Sequence, residues 1–176
     1  MLLDGDAWQN LFNSFEQDAF RLETQPSYSM PAEAERIARF QRGEPKPADH
    51  NAAWRKRVAE FVAAGKTIGR VRIVRRPMTE YQQYQFAWSI PGNIEAGEYV
   101  RVLDITDHDP GIPVNQDWWM LDNTTIVHLN FRPDGTQINR ELIDASIESY
   151  REWKRIALET SIPYEQYLKE HGDARS

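Results

Sequence analysis

Apolar positions change period several times along the chain, and the changes mark out its elements. Trp8, Leu11, Phe12, Phe15 and Ala19 recur at helical spacing after Asp4 and Asp6, either of which can cap a helix. AFRLETQ then alternates as a short strand does. SMPAEAERIARFQRG returns to a helical pattern, with Pro31 near its start, Ile37 and Phe40 facing inward and Gly43 at its stop. GEPKP reads as a turn. HNAAWRKRVAEFVAAGK predicts a third helix, with Trp54, Val58, Phe61 and Val62 on one side and Gly65 at its end.

The period then becomes two. In TIGRVRIVRRP, Val71 and Ile73 face away from Arg70 and Arg72, which predicts a strand closed by Pro77. TEYQQYQFAWSI is helical through Tyr81, Tyr84 and Trp88, and EYVRVLDI is another strand. DWWML, the turn DNT and TIVHLNF form a predicted hairpin, followed by a type I turn at RPDG and a strand at TQINRELI. Asp144 stands where it can cap a long helix whose Ile147, Tyr150, Trp153 and Ala157 share a face, and SIPYEQYLKEHG adds a short one. This order predicts an α/β or α+β fold, a mixed sheet with packed helices. A single domain over residues 1–176 is expected, its first 66 residues a mainly helical N-terminal part and residues 67–160 a sheet-containing core.

Composition narrows the function classes. The chain has no cysteine, which removes disulfides, thiolate metal sites and cysteine nucleophiles. A net charge of -6 argues against direct nucleic-acid binding, which calls for a basic face. No segment approaches the ~20 apolar residues of a membrane span, and MLLDGDAWQN lacks a basic start with an apolar run behind it. A cytoplasmic protein without a membrane partner is expected.

Candidate chemistry centres on the hairpin and the basic strand. Counting back from Asp122, the stretch from Asn115 to Asp122 resembles the box of phospholipase D-like phosphodiesterases, in which His, Lys and Asp follow at set spacing. The residues before it, RVRIVRRPMTEYQQYQFAWSI and EAGEYVRVLDI, are similar to the strand–helix–strand of catalytically silent versions of that half-domain. Asn115 replaces the nucleophilic His and Asp117 the phosphate-holding Lys, so no phosphodiesterase activity is expected. His128, between Val127 and Leu129, reads either as a structural histidine or as a catalytic group. Trp118 and Trp119 must point to opposite sides of a strand, so one is expected in the core and the other less buried, beneath a helix or lining a site. Asp117, Trp118, Trp119, Asp122 and His128 are therefore the pocket candidates. Arg70 and Arg72 put two guanidinium groups on one strand face, an arrangement that either clamps an anionic ligand or partner or is merely solvated. DITDHDPG gathers acidic residues that could hold a hard cation, but it also reads as a solvated loop; no metal and no cofactor are expected.

The segments LLDGDAWQNLFNSFEQDAFRLE, RVRIVRRPMTEYQQYQFAW, NIEAGEYVRVL and DWWMLDNTTIVHLNFRPDG together resemble, in the same order, a family of uncharacterised actinobacterial proteins. The resemblance runs to about Tyr164. It implies a domain of unknown function encoded beside helix-turn-helix regulators and small acidic proteins, in places within specialised-metabolite clusters, and it brings no catalytic residues. The expectation is a non-enzymatic regulatory or interaction module serving such a regulator, with a small acidic protein or a small anionic ligand as partner. The alternative is an enzyme or ligand-binding accessory protein of specialised metabolism.

Overall fold

Asp4 is the N-cap of the first helix, its carboxylate accepting from the Ala7 N–H at 2.7 Å. Trp8 and Phe12 consequently lie one turn apart on the buried side of α1 (Gly5–Asn13). The computed structural model of the protein describes residues 1–172. Around α1 stand β1 (Leu2–Leu3) and β2 (Asp18–Glu23), then α2 (Ala34–Gln41), entered through a 3-10 turn at Pro31–Glu33, and α3 (Ala52–Ala63). β3 (Thr67–Val74) leads to α4 (Glu80–Tyr84), which passes through a π-helical segment at Gln85–Ser89 into α5 (Ile90–Ala96). β4 (Tyr99–Asp104), β5 (Asp117–Leu121), β6 (Thr125–Phe131) and β7 (Gln137–Ile143) follow. α6 (Ile147–Thr160), β8 (Ile162–Pro163) and α7 (Tyr164–His171) complete the order.

The strands form one eight-stranded mixed sheet in the order β1-β7-β6-β5-β2-β3-β4-β8. β2, β3 and β4 run parallel, and the remaining pairs are antiparallel. The N-terminal part is more than helical: its β2 lies at the centre of the sheet, paired with β3 and β5. Glycine makes one of these pairings possible. A Cβ at Gly69 would sit 2.1 Å from the Tyr99 ring, so only a bare backbone lets that ring lie across β3.

Helices cover both faces of the sheet. On one, Phe20, Leu22, Val71, Trp118 and Met120 pack with Tyr150 and Ala157 of α6. On the other, Ala19, Ile68, Trp119 and Val127 pack with Trp8 and Phe12 of α1 and Val58 of α3. The expectation that only one of Trp118 and Trp119 would be deeply buried is therefore wrong: they are 2% and 5% exposed. Their side chains do alternate, but β5 is an interior strand with a helical layer on each side. The capping role expected of Asp144 also fails. Ser146 occupies the N-cap of α6 with no side-chain cap bond, its hydroxyl instead lying 3.2 Å from Glu148. Among the described residues, no helix is long and apolar enough to cross a membrane.

Because each tryptophan anchors a separate core, Trp118→Ala and Trp119→Ala are each expected to cost about 3–5 kcal/mol. Urea unfolding of the two variants checks this; a large loss at one position alone would mean that one sheet face is thinly covered.

Candidate functional site

Strand register gathers charge on the sheet face beneath α1 and α3. Alternation sends Arg21 and Glu23 of β2 to this face with Ala19. Parallel pairing sets Arg21 beside Arg70 and Glu23 beside Arg72, while antiparallel pairing sets Arg21 beside Trp119. Arg70 donates from Nη2 to Glu98 Oε1 at 2.7 Å and from Nη1 to Glu23 Oε2 at 3.1 Å. Arg72 donates from Nε to Gln85 Oε1 at 2.9 Å and from Nη2 to the Gln25 carbonyl at 2.6 Å, with Glu23 Oε1 3.4 Å from Nε. Arg21 reaches Asp117 Oδ2 at 3.2 Å. Asp117, with no exposed surface, also accepts from the Thr24 backbone at 2.8 Å and from the Tyr28 hydroxyl at 2.5 Å.

Above this charged floor lies a cavity of about 360 Å³. α1 contributes Trp8 and Phe12 to its wall, and α3 contributes Trp54 and Arg57. Tyr81, Tyr84 and Gln85 come from α4 and the π-helical segment, and Tyr28, Met30 and Glu33 from the connection after β2. That connection is fastened at the turn after β6, where the Ser29 N–H donates to the Gly135 carbonyl at 3.0 Å. Gly135 has φ 88° and comes so near Ser27 that a Cβ would lie 2.5 Å from its carbonyl oxygen.

Rings and guanidinium groups interleave around the cavity. The Phe12 ring lies 5.0 Å from those of Trp8 and Trp119 and 6.1 Å from that of Trp54. The Arg57 guanidinium sits over Phe12 at 4.7 Å, Arg140 over Trp8 at 5.4 Å and Arg21 over Trp119 at 5.9 Å. The lining holds five arginines, Arg21, Arg36, Arg57, Arg70 and Arg140, against two acids, Glu23 and Glu33. In a chain of net charge -6, that is a local reversal of sign.

Burial and pairing set the protonation of these groups. Burial favours neutral Glu23, but the Arg70, Arg21 and Arg72 guanidiniums outweigh it and hold the carboxyl at about 2. Burial likewise opposes the charge on Arg21, yet Glu23 and Asp117 hold it above its ordinary value. Glu98 and Glu33 are raised, burial dominating over Arg70 in the first and over the Tyr81 hydroxyl bond in the second. Arg57 and Arg140 are lowered by burial. Among the described residues, four buried side-chain atoms lack a hydrogen-bond partner, Arg21 Nε, Trp54 Nε1, Glu98 Oε2 and His50 Nδ1. The Trp54 indole lies near enough to Glu98 to favour its carboxylate, although the two atoms are not in bonding geometry.

The candidates read from the sequence are scattered by the fold. Arg70 borders the cavity, whereas Arg72 has no exposed surface. The anions both arginines meet belong to the chain itself, Glu23 and Glu98. Trp119 lines the cavity and Asp117 supports its floor, while Trp118 faces α6. His128 lies on that opposite side too, its Nε2 2.6 Å from the Tyr150 hydroxyl and its pKa lowered by burial. Asp122 sits at the far end of β5, roughly 17 Å along the strand from Asp117. It accepts from the backbone N–H groups of Glu16, Gln17 and Asp18, which keep its pKa low against the effect of burial. Asp117 and Asp122, two of the positions likened to a phosphodiesterase box, thus bind different parts of the chain. In the acidic loop, Asp104 is held by Arg76 and Tyr167, and Asp109 accepts from the Gly111 N–H. Arg21 and Glu23 were missed, although charges alternating with Phe20 and Leu22 carry the same signal as Arg70 and Arg72.

The network gives a pH signature. Glu23 at about 2 lies below its ordinary value of 4.5, so its contribution is full above pH 4.5 and is lost as pH falls towards 2. Buried His50, lowered from 6.5 to about 4 chiefly by burial, loses its contribution between those values as pH falls. Glu23→Gln is expected to cost about 3–5 kcal/mol at neutral pH and to flatten the stability curve below 4.5. Chemical denaturation across pH 3–7 measures both effects; an unchanged acid slope in the variant would show that Glu23 does not anchor the network.

No curated protein matches the chain. The sequence pattern of DUF6879, a domain of unknown function, matches residues 6–169, nearly the whole of the described structure. Every residue that lines the cavity, from Trp8 to Arg140, falls within that match, and the chain belongs to the DUF6879 family.

Proposed function

We propose that the chain is a regulatory module that takes a small molecule into the cavity beneath α1 and α3 and carries out no chemistry on it. The observation that carries this reading is the cavity itself: a volume within the usual range for ligand sites, roughly 300–1,000 Å³, lined by aromatic rings and five arginines. Its floor is preorganised, because the strands that form it are tied by ion pairs and covered by helices. Glu23, held ionised by three arginines, is too weak a base for proton abstraction near neutral pH. Met30, at the cavity edge, is 44% exposed, so the connection that carries it can report a filled cavity to a protein partner. A helix-turn-helix regulator or a small acidic protein, as the family resemblance implies, would be that partner.

A second reading has one observation in its favour. Glu33 lines the cavity with a raised carboxyl pKa, and the Tyr81 hydroxyl lies 3.2 Å from its Oε2. Such a pair suits general acid–base work in an accessory enzyme.

Gln137 lines the cavity, and Gln137→Trp should obstruct it. Across a panel of metabolite-sized acids, amines and neutral compounds, ligands that raise the melting temperature of the native chain are expected to lose that effect in this variant. Bound compounds should be recovered chemically unchanged. Stabilisation that survives Gln137→Trp would place binding elsewhere, and turnover abolished by Glu33→Gln would favour the enzyme reading.

A further inference from the structure

The charges around the cavity divide into those already used and those still available. This inference rests on the cavity being a ligand site. Arg70 and Arg72 are used: their donors meet Glu23, Glu98, Gln85 and backbone carbonyls. Arg57 and Arg140 are different. Among the described residues neither forms an ion pair with a carboxylate, and Arg57 meets only the neutral Asn13 amide oxygen, at 2.6 Å. Each lies over an aromatic ring of the cavity wall, Phe12 and Trp8 respectively. A guanidinium held against a ring can still direct its remaining N–H donors to a planar oxyanion.

Burial acts against the charge of both side chains, so an incoming anion would relieve an existing cost. Trp8, Phe12 and Trp119, packed on one another with centroids 5.0–6.4 Å apart, give the same cavity an aromatic wall. Arg21 and Trp54 also belong to the lining of the same cavity. The two acids of the lining are already engaged, Glu23 by arginines and Glu33 by Tyr81.

We propose that the cavity binds a flat organic anion, an aromatic or conjugated body bearing a carboxylate, sulfonate or phosphate, with Arg57 and Arg140 gripping the charged group and the Trp8, Phe12 and Trp119 rings contacting the body. The basic residues that matter for binding are thus Arg57 of α3 and Arg140 of β7 rather than the pair on β3.

Two dyes of nearly equal shape test this on the full chain: 1-anilinonaphthalene-8-sulfonate and its uncharged counterpart N-phenyl-1-naphthylamine, titrated by fluorescence. The sulfonate is expected to bind once per chain and at least about tenfold more tightly than the neutral dye. Arg57→Gln with Arg140→Gln should weaken the sulfonate by about 10- to 100-fold and leave the neutral dye unchanged. Lys56→Gln with Arg155→Gln removes the same charge from exposed positions and should change neither. Circular dichroism verifies folding, and Arg140→Lys, which keeps charge but loses the fork, should fall between native and double variant. Equal affinity for both dyes, lost in Gln137→Trp, would overturn the anion class while leaving a ligand cavity. Equal weakening by the two double variants would also overturn it, because net charge alone would then govern binding. Binding of either dye that Gln137→Trp does not affect would overturn the cavity reading itself.

Discussion

Three guanidinium groups buried against three carboxylates are the constraint on which the rest of this structure depends. Arg21, Arg70 and Arg72 face Glu23, Glu98 and Asp117 on one side of the sheet, with Gln85 completing the set. Taking such charges out of water costs several kcal/mol per ion, and only close, nearly saturated geometry offsets it. The network therefore contributes less through net stability than through intolerance of error. Slipping β3 by one residue would turn Arg70 and Arg72 into the apolar core under α6 and strand Glu23 without its partners.

From that constraint the cavity follows. The network joins β2, β3 and β5 to Glu98, just before β4, and to the π-helical segment, so the floor and one wall are fixed together. Hydrophobic packing then places α1 and α3 over the remaining part of the face, but their large rings meet at an angle and leave space above the charges. Asp117 links floor to edge: by holding both Arg21 and the Tyr28 hydroxyl, it draws the connection after β2 over the strands. Arg57 and Arg140 enter over aromatic rings, without a carboxylate ion-pair partner among the described residues. A locally positive, aromatic enclosure inside an acidic protein is the outcome.

The other sheet face does different work. Trp118, Tyr150 and His128 form a packed group beneath α6, with Trp118 and Tyr150 edge to face at 5.2 Å. The Lys154–Asp18 ion pair, at 2.8 Å, lies at the edge of this face. Adjacent tryptophans on one strand thus serve two environments, one a dry core and the other the boundary of a site.

Local pattern was enough to determine most of the elements. Period-two alternation marked β3 and put Arg70 and Arg72 on one face, Asp-Asn between apolar runs marked the hairpin, and Asp4 marked the start of α1. A mixed sheet with packed helices followed from their order. What local pattern does not contain is the identity of partners far along the chain. Arg70 meets Glu23 across 47 residues and Glu98 across 28, and Arg21 meets Asp117 across 96. Whether a strand arginine faces water or a buried carboxylate depends on which strands become its neighbours, and whether both tryptophans are buried depends on helices arriving at both faces. Those outcomes arise from long-range packing, because sheet order and helix placement are decided by the sum of contacts over the whole chain rather than by any one segment's periodicity. The residues that wall the cavity, drawn from α1, α3, α4 and β7, share no motif and meet only when the sheet has formed.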